Sequence, residues 1–460
     1  MNQSISRHSH TSATYGTLAP LPERRITQSL IVRFAVLGFL LLHIPLGIIL
    51  KDARALSTVH AYIVIGIAIV LALSNFPVTW VAYSLAYIAG AEILWRMTKA
   101  NVLWEWGKYA TILIVIITAW RMRNFRIPQI PIIYILMLAP SSFMILMEKS
   151  LSAAQSDLSF NLSGPLALFG CVCLFSNLRF NQKQFQHLLI AVIAPTIAIG
   201  AIALRGIVIN PDIVWVGDSN SASSGGFGPN QVSTALGLGL LCAWLIFFTI
   251  KKPVLPRFLV AGIAMWLATQ TLLTFSRGGL LGALIGIGGC VGVALINRRI
   301  TAKMIVLTLG AFALFMIVFY PQIDMFTDGA LSGRYSNISI ENTSGRDRIA
   351  EAELQVFLDN PFWGVGPGQA KHFTPHNLVA HTEYTRLLAE HGVFGILSLI
   401  SLGLMGFLMY LKNLKNAVAQ MIIVGALFWT LFYMMNVSMR AVAPAFMFGI
   451  IFAHFDLEHR

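Results

Sequence analysis

GGLLGALIGIGGCVGVALI, residues 278–296, is a run of nineteen residues without a charge or a side-chain amide. As an α-helix rising 1.5 Å per residue it would be about 29 Å long, the thickness of a hydrocarbon core. Runs of the same kind recur near 30–50, 57–74, 78–96, 104–120, 128–147, 162–178, 185–204, 232–250, 258–275, 304–320, 392–411, 419–435 and 441–455. The whole chain of 460 residues is 57% hydrophobic and only 11% charged, against about 25% charged in soluble proteins. Its mean hydropathy is +0.73. Soluble, disordered, collagen-like and disulfide-scaffold classes are excluded. The fold class is all-α: a polytopic integral membrane protein with twelve to fourteen transmembrane helices and one large external loop containing short helices.

The turns at 75–77 and 276–277 are so short that each flanking pair must be a tight helical hairpin or one re-entrant element. Orientation follows from the short connections. One alternating set carries Arg121/Arg123/Arg126, Arg179/Lys183, Lys251/Lys252/Arg257, Arg298/Arg299/Lys303 and Lys412/Lys415. The opposite set carries fewer cations: Lys51/Arg54, Arg96/Lys99, Lys149, Arg205, Arg277 and Arg440. The positive-inside rule puts the first set in the cytoplasm, both termini with it, and the long connection outside. The expected organisation is a disordered cytoplasmic tail (1–29), a helix bundle (30–320), a long external loop (321–391), closing helices (392–455) and a short tail (456–460).

The net charge of +13 fits cytoplasmic loops, and no nucleic-acid partner is expected. Cys171, Cys173, Cys242 and Cys290 all lie inside apolar runs, where small buried side chains are expected and a disulfide or zinc site is not. His376 and His381 are five apart, on different sides of a helix, and no His-Glu-x-x-His motif occurs. No metal and no cofactor are expected.

The chemistry should lie where polarity is spent outside the membrane. Residues 206–231 form a Gly- and Ser-rich loop. The 321–391 segment carries helical patterns. Ser344 is a plausible N-cap for a helix that Asn360-Pro361 would end, and Gly364, Gly366 and Gly368 would make a bend. Thr374-Pro375 looks like the start of a second helix running to Glu390 and stopping at Gly392. On it Asn377, His381, Tyr384, Thr385 and Leu388 would share a face, with Glu383, Arg386 and Glu390 on other sides. An outward histidine that is neutral near pH 7 can take a proton from a hydroxyl. Arg205 and Arg277 close external span ends, and Arg346 and Arg348 open a loop helix. Their planar forks suit phosphate, as does a helix N-terminus; the competing reading of each is a headgroup anchor.

Phe275-Ser276-Arg277-Gly278-Gly279-Leu280, Ser344-Gly345-Arg346, the stretch from Asn360-Pro361-Phe362-Trp363-Gly364 to Gly368, and His381-x-x-Tyr384 with Glu390-x-Gly392 follow one another in order. The ordered set resembles the O-antigen ligase and polysaccharide-polymerase family. It covers about residues 200–411; the first 200 match only as membrane spans. The resemblance implies metal-independent, inverting transfer of a glycan from undecaprenyl pyrophosphate to an acceptor on the periplasmic face. Arg277 and Arg346, with Arg205 as a looser match and Arg348 beside them, would hold the donor pyrophosphate. A loop histidine would deprotonate the acceptor hydroxyl, with Asn377, Tyr384 and Glu390 in support. The family shows His-Asn before the Tyr and Glu, whereas here His381 precedes Thr382 and the dipeptide stands at His376-Asn377. Spacing to Glu390 favours His381 as the base; the dipeptide favours His376.

The implied partners are the lipid-linked glycan donor, lipid A-core or a growing glycan as acceptor, and membrane lipids. Ligation to lipid A-core leads. Polymerisation of lipid-linked repeats is the nearest alternative, and a protein-glycosylating ligase a third. A lipid-linked oligosaccharide transporter is the reading from another class. Arg33, Glu92, Glu105 and Lys108 would be its candidate groups, yet all lie near span ends while polarity concentrates in the external loop.

Overall fold

The computed structural model describes residues 22–215, 218–297, 302–336, 346–374 and 377–457. Within them, eleven helices are long and apolar enough to cross a membrane. The first ten helices are α1 (Pro22–Asp52), α2 (Arg54–Leu73), α3 (Val78–Met97), α4 (Trp106–Arg121), α5 (Gln129–Glu148), α6 (Leu151–Phe175), α7 (Gln182–Val208), α8 (Pro229–Thr249), α9 (Arg257–Leu273) and α10 (Arg277–Ile296). Then come α11 (Ala302–Leu314), a π-turn at Phe315–Phe319, α12 (Tyr320–Phe326), α13 (Ala330–Ser336), α14 (Arg346–Asp359), α15 (Glu383–Lys412), α16 (Ala417–Val437) and α17 (Ala443–Ile450). One shorter apolar helix, α9, joins the eleven, whereas α4 and α17, of sixteen and eight residues, fall short of the length that crosses a hydrocarbon core.

Contacts between distant connections fix which ends share a face. On one face a strand at Arg179–Asn181 (β1) pairs in parallel with His454–Asp456 (β2). There the Asn177 amide donates to the Arg126 carbonyl (2.8 Å) and the Asn416 amide to that of Phe455 (3.1 Å). On the opposite face, the loop face, Lys51 donates to the Gly225 carbonyl (2.6 Å), Arg96 to that of Arg440 (2.9 Å), and Arg440 to that of Ala380 (2.6 Å).

Several boundaries differ from expectation. α1 begins at Pro22, inside the stretch expected as a tail. The last run is not one long helix: α17 has eight residues, and the chain then extends into β2. The helix expected from Thr374 to Glu390 begins only at Glu383, capped by Thr382, whose hydroxyl accepts from the Tyr384 N–H (3.2 Å). The Thr374 hydroxyl instead donates to the carbonyls of Lys371 (2.8 Å) and Leu378 (2.7 Å). Asn377 adopts φ 55°, and Arg440 engages the carbonyls of Val379 and Ala380. Asn377 and His381 therefore lie on an irregular segment, and the shared helical face does not form. The proposed Ser344 cap lies outside the described residues.

Other local signals hold. α14 ends at Asp359, just before Asn360-Pro361. Gly364, Gly366 and Gly368 all take positive φ. Gly392, at φ 58° and ψ −134°, breaks α15 into a loop helix and a membrane helix. The carbonyls of Ala389 and Glu390, freed by that break, accept from the N–H groups of Val365 (3.0 Å) and Gly366 (2.9 Å), and Val393 donates to Pro361 (2.7 Å). The glycine bend is thus stitched to the kink.

A Cβ at Gly392 would lie 2.5 Å from the Phe362 carbonyl oxygen in a backbone region essentially restricted to glycine. Gly392→Ala should lower stability by about 1–3 kcal/mol or more, read as a lower unfolding temperature of detergent-solubilised protein. Gly403→Ala, with nothing within 4 Å of its Cβ, should leave that temperature unchanged.

Candidate active site on the loop face

The Ser-Arg-Gly-Gly stretch owes its form to helix packing. Phe275 ends α9 in a left-handed turn (φ 56°) and stacks on Trp215. α10 then approaches α8 so closely that a Cβ at Gly279 would lie 1.9 Å from the Ser233 carbonyl oxygen. The contact is locked by the Ser233 hydroxyl, which donates to the Ser276 carbonyl (2.9 Å) and accepts from the Gly279 N–H (3.0 Å). Gly278 faces α16: a Cβ there would lie 1.9 Å from the Asn436 amide nitrogen. Only glycine at both positions lets Arg277 stand where α8, α10 and α16 meet.

From Arg277 a group of cations runs along the loop face. Its guanidinium donates to the Arg334 carbonyl and lies 6.0 Å from the Tyr335 ring centre. Arg334 pairs with Asp218 (2.9 Å), whose side chain is 80% exposed. Arg346 donates to the Asn436 side-chain oxygen (2.5 Å); the Asn436 amide donates in turn to Asn230 (3.0 Å). Burial, then the Arg334 charge, push the Arg346 pKa below its ordinary value. Arg440 is half-buried, and burial again lowers its pKa, with the Arg346 cation acting the same way. The Nε–H groups of Arg277, Arg334 and Arg440 are buried without a hydrogen-bond partner among the described residues. Asp218 is the one carboxylate paired with any of these four arginines among the described residues. Several guanidinium groups with spare donors and little counter-charge can hold a polyanion.

His381 lies beside this group. Burial first, then the charges of Arg440 and Arg346, hold its pKa down at about 4. It is therefore neutral at pH 7 and able to accept a proton. Its position is set from below: Arg440 donates to the carbonyls of Val379 (3.1 Å) and Ala380 (2.6 Å), the two residues before it.

The other expected site residues divide. Tyr384 donates to the Leu431 carbonyl (2.9 Å), tying the loop helix to α16. Glu390 accepts from the Gly368 N–H (2.9 Å) and from Arg386 (2.8 Å), holding the glycine bend. Arg386, Glu383 and Glu390, expected away from the Asn377–His381 face, form one buried ion cluster. Arg348 is exposed and Asn377 has left-handed φ; neither joins the arginine group. Arg205 pairs instead with Asp52 (2.6 Å), near Lys51, in a second basic area at the ends of α1 and α7. His376 lies outside the described residues. No group of His, Cys, Asp or Glu suited to a metal occurs among the described residues.

Two members of the arginine group were not singled out from the sequence. Arg440 had registered only as a loop charge, and Arg334 not at all. The available signal for Arg440 was a lone cation between two apolar runs; Arg334 offered none beyond its place in the long loop.

All-α architecture, many membrane-length helices and a loop-face cluster of basic groups around a histidine define a multi-pass membrane protein with a polar site roofed by a long loop. Residues 262–400 match the family model described as O-Antigen ligase. The match contains Arg277, Arg334, Arg346 and His381; Arg205 and Arg440 fall outside it. No curated protein matches the chain. The match supports a role in glycan ligation.

Inorganic pyrophosphate should raise the unfolding temperature of the purified protein. Arg277→Gln and Arg346→Gln should abolish the rise, while Arg205→Gln should keep it, because Arg205 sits in the other basic area. A rise that survives both of the first two changes would mean the anion binds elsewhere.

Proposed function

We propose that the protein is an inverting glycosyltransferase that moves a polysaccharide from undecaprenyl pyrophosphate to a hydroxyl of lipid A-core, on the periplasmic face of the inner membrane. The observation that carries this reading is the juxtaposition of a neutral imidazole, His381, with a run of arginines that have unpartnered N–H groups.

Each half supplies one need of the reaction. Diphosphate is a good leaving group once its developing charge is stabilised, and preorganised guanidinium donors do this without reorganisation in the transition state. Arg277, Arg334, Arg346 and Arg440 hold the diphosphate. The acceptor hydroxyl loses its proton to His381 as its oxygen attacks the anomeric carbon. The C–O bond to the diphosphate breaks, the bonding pair leaves with the phosphate oxygen, and the anomeric centre inverts. Glu383, Arg386 and Glu390 form the rigid wall behind the base. Orientation of the two substrates supplies the rest of the acceleration.

Purified protein given undecaprenyl-diphosphate glycan and lipid A-core should form the ligated product with inverted linkage. Removing a general base costs about 10²–10⁴ in rate, so His381→Ala should fall by that order in a quenched-product assay. Wild-type rates in both His381→Ala and His376→Ala would refute the mechanism; loss in His376→Ala alone would move the base to that position.

The pH dependence has a definite sign. The base works only when neutral, so activity is lost as pH falls through the His381 pKa, near 4. Arg440→Gln removes a cation that disfavours the imidazolium, so the acidic limb of the rate profile should move upward toward 6.5, the ordinary value. An unmoved limb would show that Arg440 does not act on the base.

A further inference from the structure

Beside the arginine group, but not part of it, lies a cavity of about 240 Å³ between the start of α6, α14, the glycine bend and the segment before His381. At about 30 Å³ per water it has room for about eight waters, roughly the space of one hexose ring. Its walls carry Asp157, Asn161, Glu353, Lys371, Arg386 and Glu390, with the ring of Phe160 among them. Carboxylate and amide oxygens accept from hydroxyls, ammonium and amide N–H groups donate to them, and an aromatic face takes the apolar side of a sugar ring.

Glu353 separates this cavity from a merely solvated pocket. The residue is fully buried, and its Oε2 accepts from the Thr385 hydroxyl. Its Oε1 is buried with no partner. A buried acceptor left unsatisfied costs about 1–3 kcal/mol, so this wall needs a hydrogen-bond donor that the described chain does not supply. Burial also pushes the carboxyl up to about 7, which a donor to the carboxylate would reverse. Lys371 and Gln369 both donate to Asp157 at the rim (3.3 and 2.8 Å).

The cavity also has the right neighbours. Val379 and Ala380 line it and directly precede His381. A smaller cavity of about 20 Å³ shares Phe160, Asn161, Val379, Ala380 and Arg386 with it and reaches Arg440. A sugar seated in the larger space is therefore one step along the chain from the imidazole.

We propose that this cavity is a sugar-ring subsite for the acceptor glycan, in which Glu353 accepts from a ring hydroxyl and Lys371 and Asp157 form the rim. The assignment of the sugar to the acceptor, rather than the donor, rests on the function proposed above; the presence of a carbohydrate subsite does not.

The test is direct binding, independent of catalysis. The probe is core oligosaccharide released from lipid A-core by mild acid, titrated into full-length protein in detergent and followed by saturation-transfer NMR. The wild-type protein and His381→Ala should bind it alike. Glu353→Gln, which turns an acceptor toward the cavity into a donor, and Lys371→Ala at the rim should each weaken binding about tenfold or more, the loss of one charge-assisted hydrogen bond. Should Glu353→Gln unfold, Lys371→Ala carries the test alone. In the transfer assay Lys371→Ala should raise the acceptor KM and not the donor KM; a raised donor KM instead would overturn the acceptor assignment. Absence of binding to wild type, or equal binding by the variants, would mean the cavity holds water only and would overturn the subsite. If His381→Ala transfers glycan at the wild-type rate, the proposed mechanism falls while the binding result stands separately.

Discussion

Between α16 and α17 the backbone leaves the helix within a membrane bundle, and each peptide group released there must find a partner inside the protein. Buried ion pairs from three helices provide them. Glu383, already paired with Arg386, accepts from the Ser438 hydroxyl and the Met439 N–H. Lys108, paired with Glu105, donates to the Met439 carbonyl; Arg96, paired with Glu92, donates to that of Arg440; and Glu92 accepts from the Val442 N–H. A buried ion pair is expensive to desolvate, and removing one member costs about 3–5 kcal/mol because the other is left uncompensated. These pairs are retained where each charge also fastens a stretch of irregular backbone. The side chain that this stretch presents is Arg440.

Arg440 links scaffold to site. Its own carbonyl is held by Arg96, while its guanidinium fixes the carbonyls before His381. Tyr384 adds a second tie between the loop helix and α16, and Glu390 a third to the glycine bend. Of the four groups that a transporter reading would use, Glu92, Glu105 and Lys108 are spent in this lattice of pairs, and Arg33 is exposed on α1. Charged groups at membrane depth are costly unless paired, and here the pairing is structural.

Much of the fold was legible because hydrophobic periodicity, glycine and proline act locally. Gly392 stops a helix whatever surrounds it, and Asn360-Pro361 does the same. The Arg277 motif was legible as a motif, although its glycines turned out to serve the approach of α10 to α8 and α16. What could not be read was long-range: that Asn377 and His381 leave the helical pattern because Arg440, some sixty residues on, takes the carbonyls that precede His381. The same limit hid the ion cluster of Glu383, Arg386 and Glu390. On a helical wheel Arg386 is within reach of both glutamates, but only the tertiary fold turns that side inward, against Asn161 and Ser438. Arg205, alike in sequence position to Arg277, parts from it because Asp52 at the end of α1 is its neighbour.

The arrangement couples the two halves of the proposed chemistry. Arg440 and Arg346 both disfavour a charged imidazole at His381, so with no anion bound the base is neutral but weak. A diphosphate among the same arginines would offset their charge and raise the affinity of His381 for a proton, bringing its pKa toward the working pH only when the donor is in place. The base would thus gain strength at the moment it has an electrophile to serve. Departure of the diphosphate would restore the field of the arginines and help expel the proton from the imidazolium. In the proposed mechanism one set of cations would thereby bind the donor, time the base and reset it, and this requires His381 to lie within their field rather than in contact with a carboxylate that would fix its charge.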